Sequence, residues 1–293
     1  MTHPYNTPEF AACFDGLADL ENIGDGLGYM RLREIEGTPY KDAITAAPRH
    51  SFSDASTLAQ TLRAQKIISA TIIPDPLQDA QNLEENFDTV RPFKTHYVYD
   101  PSLPLEFHGF HKTNIALAGK KGTVRRIEFH DHLGLWMQLW ETLLERHHIE
   151  GLGRFSHSYF ERLALVPGLI AYGAFDESGA LVAISLWFEH GDYVVSHLNA
   201  CAPEGYKIQA NYGIYKFMLD DLKDKRLIDL GGNVGACDDP EDGLSKFKAG
   251  FSNTTRQSYI CGLICNRAVY DELSNGRGDE TFFPAYRAPK EGS

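Results

Sequence analysis

The chain has 293 residues, 43% hydrophobic and 23% charged, with a formal net charge of −12. That length allows two domains with cores of their own. The negative balance and the lack of any run of five Lys or Arg argue against a broad nucleic-acid surface, since phosphate binding rests on clustered cations; the densest basic stretches are 112–126 and "KDKR" at 223–226.

The 17 Phe, 14 Tyr and 3 Trp supply large packing surfaces and suit a cleft for an organic ligand. Five cysteines, at 13, 201, 237, 261 and 265, form no CxxC pair and are odd in number. They read as small buried hydrophobes in a reducing compartment. The N-terminus "MTHPYNTPEFAACF" lacks the basic and apolar regions of a signal peptide. No stretch reaches the roughly 18 apolar residues of a membrane span. A soluble, cytoplasmic protein is expected; nothing in the sequence fixes its oligomeric state.

Helix and strand patterns alternate along the chain. Thr7 is a candidate cap for a helix with Pro8 at its first position and apolar residues at Phe10, Cys13, Phe14, Leu17 and Leu20. Residues 54–66 read as an amphipathic helix leading into a buried strand, "IISATII" at 67–73. "KTHYVYD" at 94–100 alternates like a strand. A mixed segment with a basic helical patch covers 101–128, and a domain boundary is expected at 125/126. A long helix follows over about 130–148, with apolar residues at 133, 136, 137, 140, 143 and 144. Ser158 and Glu161 have capping-box spacing.

Three runs, 169–175, 181–188 and 193–200, separated by the turns "DESG" and "EHGD", predict an antiparallel meander. A helix over 209–224, a strand "RLIDLGG" at 226–232 and a short helix over about 240–248 come next. Asp239 is the expected cap of that short helix and Gly250 its stop. A strand at 258–264 and a helix at 266–275 complete the order, which is α+β and not a doubly wound arrangement.

This order and these motifs resemble the GNAT superfamily of N-acyltransferases, and within it the Fem-type peptidyl or aminoacyl transferases. The likeness runs from 150 to 273: the meander, the helix "ANYGIYKFMLDDL", the strand "RLIDLGG" and "GLSKFKAGF". The "FK-x-GF" element after a glycine-ended strand is its most specific part. "IISATIIPDP" and "RPFKTHYVYD" extend it more weakly into the first half. The resemblance implies two tandem GNAT-like domains, with mixed, mostly antiparallel sheets flanked by helices. They would cover 1–125 and 126–275, with the tail 276–293 returning to the first. It also implies an enzyme that transfers an acyl or aminoacyl group to an amine of an amino acid, peptide or amino sugar. The donor would be a co-substrate, acyl-CoA or aminoacyl-tRNA, with no tightly bound cofactor. "APEGYKIQANYG" lacks the glycine-rich R/Q-x-x-G-x-G/A loop that grips the acetyl-CoA pyrophosphate, which points away from acetyl-CoA itself. The alternative is a binding protein that holds a peptide or cell-wall precursor on the same fold.

Acyl transfer needs a neutral amine, a stabilised oxyanion and a protonated leaving group. No nucleophile-elbow pattern is present, so positioning and oxyanion stabilisation would carry the reaction. The Phe247–Lys248 pair is implied to lie at the donor end. Lys248 would set a cation near the oxyanion or a donor phosphate, with Phe247 and Phe251 excluding water. A solvated lysine at a helix end, favoured by the dipole, is the other reading. Gly232 and Asn233 in "LGGNVG" would let the backbone approach the donor; a tight turn explains the same glycines. His197 is a candidate general base with a pKa near neutrality. Asn199, Tyr206, Asn211, Tyr212 and Tyr215 are candidate acceptor contacts, and Lys94 is a further one, read with His96 as facing the cleft between the domains; structural packing is the other reading for each. The histidines of "HDH" (130–132) and "ERHH" (145–148) complete no metal-ligand set, so no metal is expected; Glu145 and His148 share only a helix face.

Overall fold

The computed structural model describes residues 3–14, 16, 20–24, 28–47, 55–77, 83–147, 154–233, 239–275 and 282–288. In chain order the first elements are α1 (Pro8–Ala12), β1 (Leu20–Asn22), β2 (Tyr29–Glu34), β3 (Lys41–Thr45), α2 (Ala55–Ala64), β4 (Ile67–Ile72), α3 (Leu83–Asn86) and β5 (Thr89–Tyr99). Then come α4 (Gly109–Lys121), β6 (Gly122–Ile127), α5 (Leu133–His147), α6 (His157–Leu163), β7 (Leu169–Asp176), β8 (Leu181–His190) and β9 (Tyr193–Cys201). The last are α7 (Pro203–Lys207), α8 (Ala210–Asp221), β10 (Leu227–Asp229), α9 (Gly243–Ala249), β11 (Thr254–Ile264) and α10 (Arg267–Ser274). The protein is α+β, with mostly antiparallel strands flanked by helices. Among the described residues no helix is long and apolar enough to cross a membrane.

The chain forms two compact units: a smaller one of residues 5–94 with 257–293, and a larger one of residues 1–4 with 95–256. In the smaller unit β1, β2 and β3 pair antiparallel, β3 runs parallel to β4, and β4 pairs antiparallel with β11. β4 is apolar on both faces because both are covered. Leu58 and Leu62, one turn apart on α2, meet Ile67, Ala70 and Ile72 on one side, while Ile68 meets Tyr270 and Tyr286 on the other. A fully buried carboxylate, Asp42, accepts from Arg33 Nε (2.7 Å), Arg287 Nε (2.5 Å) and Tyr286 Oη (3.1 Å), and Tyr286 also bonds Ser69 at 2.6 Å.

The larger unit repeats that plan. β6, β7, β8 and β9 form an antiparallel meander, β9 runs parallel to β10, and β10 pairs antiparallel with β5. Each parallel pair is connected through a helix, α2 or α8. The strand flanking each unit's parallel pair follows the other unit's parallel pair in sequence. α8 buries Ile214, Tyr215, Met218 and Leu219 against Trp187, Tyr172 and Val194. Trp136, Trp140 and Phe160, from α5 and α6, form an aromatic stack of their own, with ring centroids 5.5–5.7 Å apart.

Several local expectations are corrected. The first helix ends at Ala12, although Thr7 does cap it, and Leu20 belongs to β1. Ser156 and not Ser158 caps α6, accepting from Tyr159 N at 3.2 Å. Asp242, not Asp239, caps α9, accepting from Leu244 N and Ser245 N; Asp239 instead closes a turn onto Glu241 N at 2.9 Å. The helix read over 209–224 is α8 alone, preceded by α7 and a left-handed Gln209. β1, β2 and β6 have sequences too polar to announce themselves, being partly exposed strands, and β3 is mostly buried but short and begins with Lys41 and Asp42. The position 125/126 lies inside β6, which pairs with β7 from Gly122 to Ile127.

Candidate active site

β9 and β10 are hydrogen-bonded neighbours only as far as Val195 and Asp229. Beyond Asp229 the chain follows β5 instead: Leu230 N donates to Tyr97 O at 2.8 Å and Tyr97 N to Gly231 O at 3.2 Å. β9 meanwhile continues to Cys201, and its pairing with β8 shifts register between Leu186 and Trp187, where His197 is the extra residue. Such a bulge bends a strand and re-aims its side chains. The two parallel strands therefore part, and Ser196, His197 and Asn199 lie on the freed part of β9. Among the described residues, Asn199 Nδ2 and, at the start of α8, Asn211 Oδ1 are buried atoms with no hydrogen-bond partner. A buried unsatisfied amide is costly, which makes both groups available to a ligand.

Lys248 lies on α9 and is only 8% exposed. Its ammonium donates to Gly232 O at 2.6 Å. A buried ammonium is tolerated only when hydrogen-bonded, and the backbone just beyond β10 supplies that bond. Gly231 makes it reachable: its φ of +80° is left-handed, where glycine is unstrained, and a Cβ there would stand 3.1 Å from Lys248 Nζ. Asp229 Oδ1 fixes the turn by accepting from Gly231 N at 2.6 Å. Its other oxygen, Oδ2, lies 2.8 Å from His96 Nδ1. Asp229 is fully buried and His96 nearly so.

Aromatic side chains surround the lysine's helix. Phe247 and Phe251 have ring centroids 5.1 Å apart; Tyr212 lies 4.9 Å and Tyr215 4.8 Å from Phe247. His111, from α4, stands 5.2 Å from Tyr212 and 5.1 Å from Phe251, and its Nε2 donates to Phe247 O at 2.9 Å. A Cβ at Gly250 would fall on the His111 ring. The glycine of "FK-x-GF" is thus required by the imidazole that packs over it. Burial pushes the Tyr215 hydroxyl up to about 12, with nearby Asp229 adding to the shift and a Ser196 hydrogen bond opposing it, so it stays a donor at neutral pH.

The remaining expected residues are placed as follows. Asn233 is buried, and its Nδ2 is 3.4 Å from Asp239 O, the carbonyl that also accepts from Ser245 Oγ at 2.7 Å. His197 keeps a partly exposed edge but stands among Phe188, at a 5.0 Å centroid distance, and Tyr159, whose Oη is 3.4 Å from Nε2. Desolvation pushes its pKa down to about 3 and not to the near-neutral value expected of it. Tyr206 lies apart from the Lys248 group, in a groove of about 370 Å³ beneath the guanidinium of Arg146, 4.2 Å above its ring. Lys94 belongs to the smaller unit, where its backbone bonds Ser258 Oγ. Cys13, Cys201, Cys261 and Cys265 are buried. His148, Gly235, Cys237 and most of the tail beyond Asn275 lie outside the described residues.

Two members of the group escaped sequence reasoning. His111 had no signal, because "HGFHK" has no spacing that sets it against residue 250. Asp229 did have one: a carboxylate inside the apolar run "RLIDL" is rarely buried without a partner.

No protein-family model matches the chain, and no curated protein matches it in sequence. Solved structures do match. FemX superposes over 92% of this chain and 95% of its own, with a TM-score of 0.66 at 13% identity. The fold is Fem-like. Similar in the same way are the C-terminal domain of a candidate lysylphosphatidylglycerol synthetase from Agrobacterium fabrum (TM-score 0.60, 12% identity, 89% of this chain and 87% of that one) and L-PGS from Bacillus licheniformis (TM-score 0.59, 14% identity, 89% and 93%). At such identities the shared property is the Fem-like fold, and the chemistry has to be argued from this chain's own residues.

Proposed function

We propose that this protein transfers an acyl or aminoacyl group from an activated donor, an acyl-CoA or an aminoacyl-tRNA, to an amine on an amino acid, peptide or amino sugar. The observation that carries this reading is the buried ammonium of Lys248, held on Gly232 O beside the point where β9 and β10 part. A fixed cation in a water-poor, aromatic-walled setting is suited to a carbonyl oxygen gaining negative charge, because it needs no reorganisation as the charge develops. The names FemX and L-PGS among the structural neighbours agree with a transferase. The two units read as tandem GNAT-like domains whose last strands are exchanged.

In this scheme the donor's carbonyl carbon lies in the opening between the strands, with Gly232, Asn233, Phe247 and Phe251 at the donor end. The amine nitrogen attacks the carbonyl, and the oxyanion faces Lys248. Collapse breaks the bond to the thiol or ribose oxygen, which takes up a proton as the amine's proton leaves. Tyr212, Tyr215 and Asn211 line the acceptor side, while Tyr206, in its separate groove, takes no part in this scheme. His197, neutral at working pH, accepts a hydrogen bond from the amine and orients its lone pair; a pKa of about 3 makes it an orienting group more than a proton carrier.

The test is a donor screen by mass spectrometry, acyl-CoAs against charged tRNAs with a library of amines, followed by Lys248→Ala on the active combination. Loss of turnover with a retained fold supports the scheme. Unchanged turnover removes Lys248 from it, and a wild-type protein that consumes no donor favours the non-catalytic binding reading.

A further inference from the structure

The Lys248 ammonium rests on the Gly232 carbonyl, so what fixes Gly232 helps to fix the cation. Gly232 follows a left-handed residue, Gly231, in a stretch outside regular structure. Glycine is the least restrained residue, and two in succession make a turn with many accessible conformations. Something must select one of them. The backbone bond from Tyr97 N to Gly231 O holds one side at 3.2 Å. The shorter restraint comes from the Asp229 carboxylate, which takes the Gly231 N–H at 2.6 Å. Its other oxygen faces His96 Nδ1 at 2.8 Å.

A carboxylate with no exposed surface must have its charge met inside the protein. With Asp229 ionised, Nδ1 of His96 is the donor. Removing that donor takes away one of the restraints on the carboxylate and favours its turning or taking up a proton, and either event loosens its grip on Gly231. The chain of contacts His96–Asp229–Gly231/Gly232–Lys248 is continuous, and all its members belong to the larger unit.

We propose that His96 and Asp229 are the positioning pair of this site: through the Gly231–Gly232 turn they set the place and direction of the Lys248 ammonium. The inference rests on the reading of Lys248 given above, but its test does not require a donor. The two asparagine and glutamine replacements of His96 separate its possible roles. The amide nitrogen of asparagine falls where imidazole Nδ1 stands and donates to Asp229; that of glutamine reaches to the position of Nε2 and does not.

The experiment is trace acetylation of the full chain with the N-hydroxysuccinimide ester of acetic acid, read lysine by lysine by mass spectrometry. Lys120, which is exposed, sets the scale, and Lys94, buried in the smaller unit, reports general loosening. Modification of a buried amine follows the population in which it is released, so Asp229→Ala and His96→Gln should label Lys248 about fivefold faster or more. His96→Asn should keep it within about twofold of the wild type, with Lys94 unchanged throughout. The proposal is overturned if Lys248 labelling stays at the wild-type rate in both Asp229→Ala and His96→Gln, if His96→Asn releases Lys248 as fully as His96→Gln, or if Lys94 rises in step with Lys248. A failed donor screen leaves these outcomes untouched, so the two readings fail separately.

Discussion

Both units lay out three or four antiparallel strands, a helix, and then a strand parallel to the last of the meander. In the smaller unit the parallel pair stays closed: β3 and β4 are paired at Ile44 and Thr71, close to their ends, and Ile73 N still reaches Thr45 Oγ1 at 3.4 Å. In the larger unit the pair parts after Val195 and Asp229 while β9 runs on to Cys201. The buried acid of each unit reflects this. Asp42 is wrapped by two guanidiniums and a tyrosine hydroxyl, a use that ties the segment holding Tyr286 and Arg287 to β3. Asp229 holds a glycine turn and, through it, a buried lysine. One strand plan thus serves closure in one unit and an opening in the other, and the difference comes from where the strand after the helix finds its hydrogen bonds.

The comparison can be broken by substitution. Asp42→Ala should have the largest effect on stability, about 3–5 kcal/mol as expected when one member of a buried ionic network is removed; urea unfolding followed by tryptophan fluorescence and circular dichroism measures it. Lys248→Ala should leave the unfolding midpoint nearly unchanged and lower kcat by about 10²–10³, the usual cost of one oxyanion-stabilising group. An equal loss in stability would make Lys248 a structural counterpart of Asp42, and the contrast between the units would vanish.

Gly250→Ala should destabilise by about 1–3 kcal/mol, the usual cost of overpacking, because the new methyl group meets His111. His111→Ala in the same chain should recover part of that loss, and thermal melts of the single and double variants measure the coupling.

The smallest effect concerns pH. Folded His197 has its pKa lowered from 6.5 to about 3 by burial. The unfolded state therefore binds the proton first as pH falls. The contribution of the neutral ring is complete above pH 6.5 and is lost progressively towards pH 3. His197→Gln, which cannot titrate, should show a flatter decline in urea midpoint over that range than the wild type. Parallel declines would mean that His197 is protonated in the folded state too.

The meander and β4 were legible as short, continuous apolar runs bounded by turn or helix signals, and α2, α8 and α10 as segments with apolar residues at helical spacing. The partly exposed strands β1, β2 and β6 and the short, mostly buried β3 were not, since their pairing is decided by tertiary partners and not by a local pattern. Caps misplaced by two or three residues, Ser158 for Ser156 and Asp239 for Asp242, show that several polar residues near a helix start can satisfy the same pattern.

For the candidate site, sequence by itself determined which residue types were on offer: a lysine between aromatics, a glycine pair after an apolar strand, a carboxylate inside that strand. Their neighbourhood in the chain made Lys248 a candidate, yet an exposed lysine would have had the same neighbours. Only the tertiary structure buried it, set Gly232 O against it, brought His96 to Asp229 across 133 residues of chain and placed His111 over Gly250. The physical reason is that periodicity and turn chemistry act over a few residues. A hydrogen bond or a ring contact depends on distance in space, and in this chain that distance is fixed by where β10 leaves β9 to follow β5.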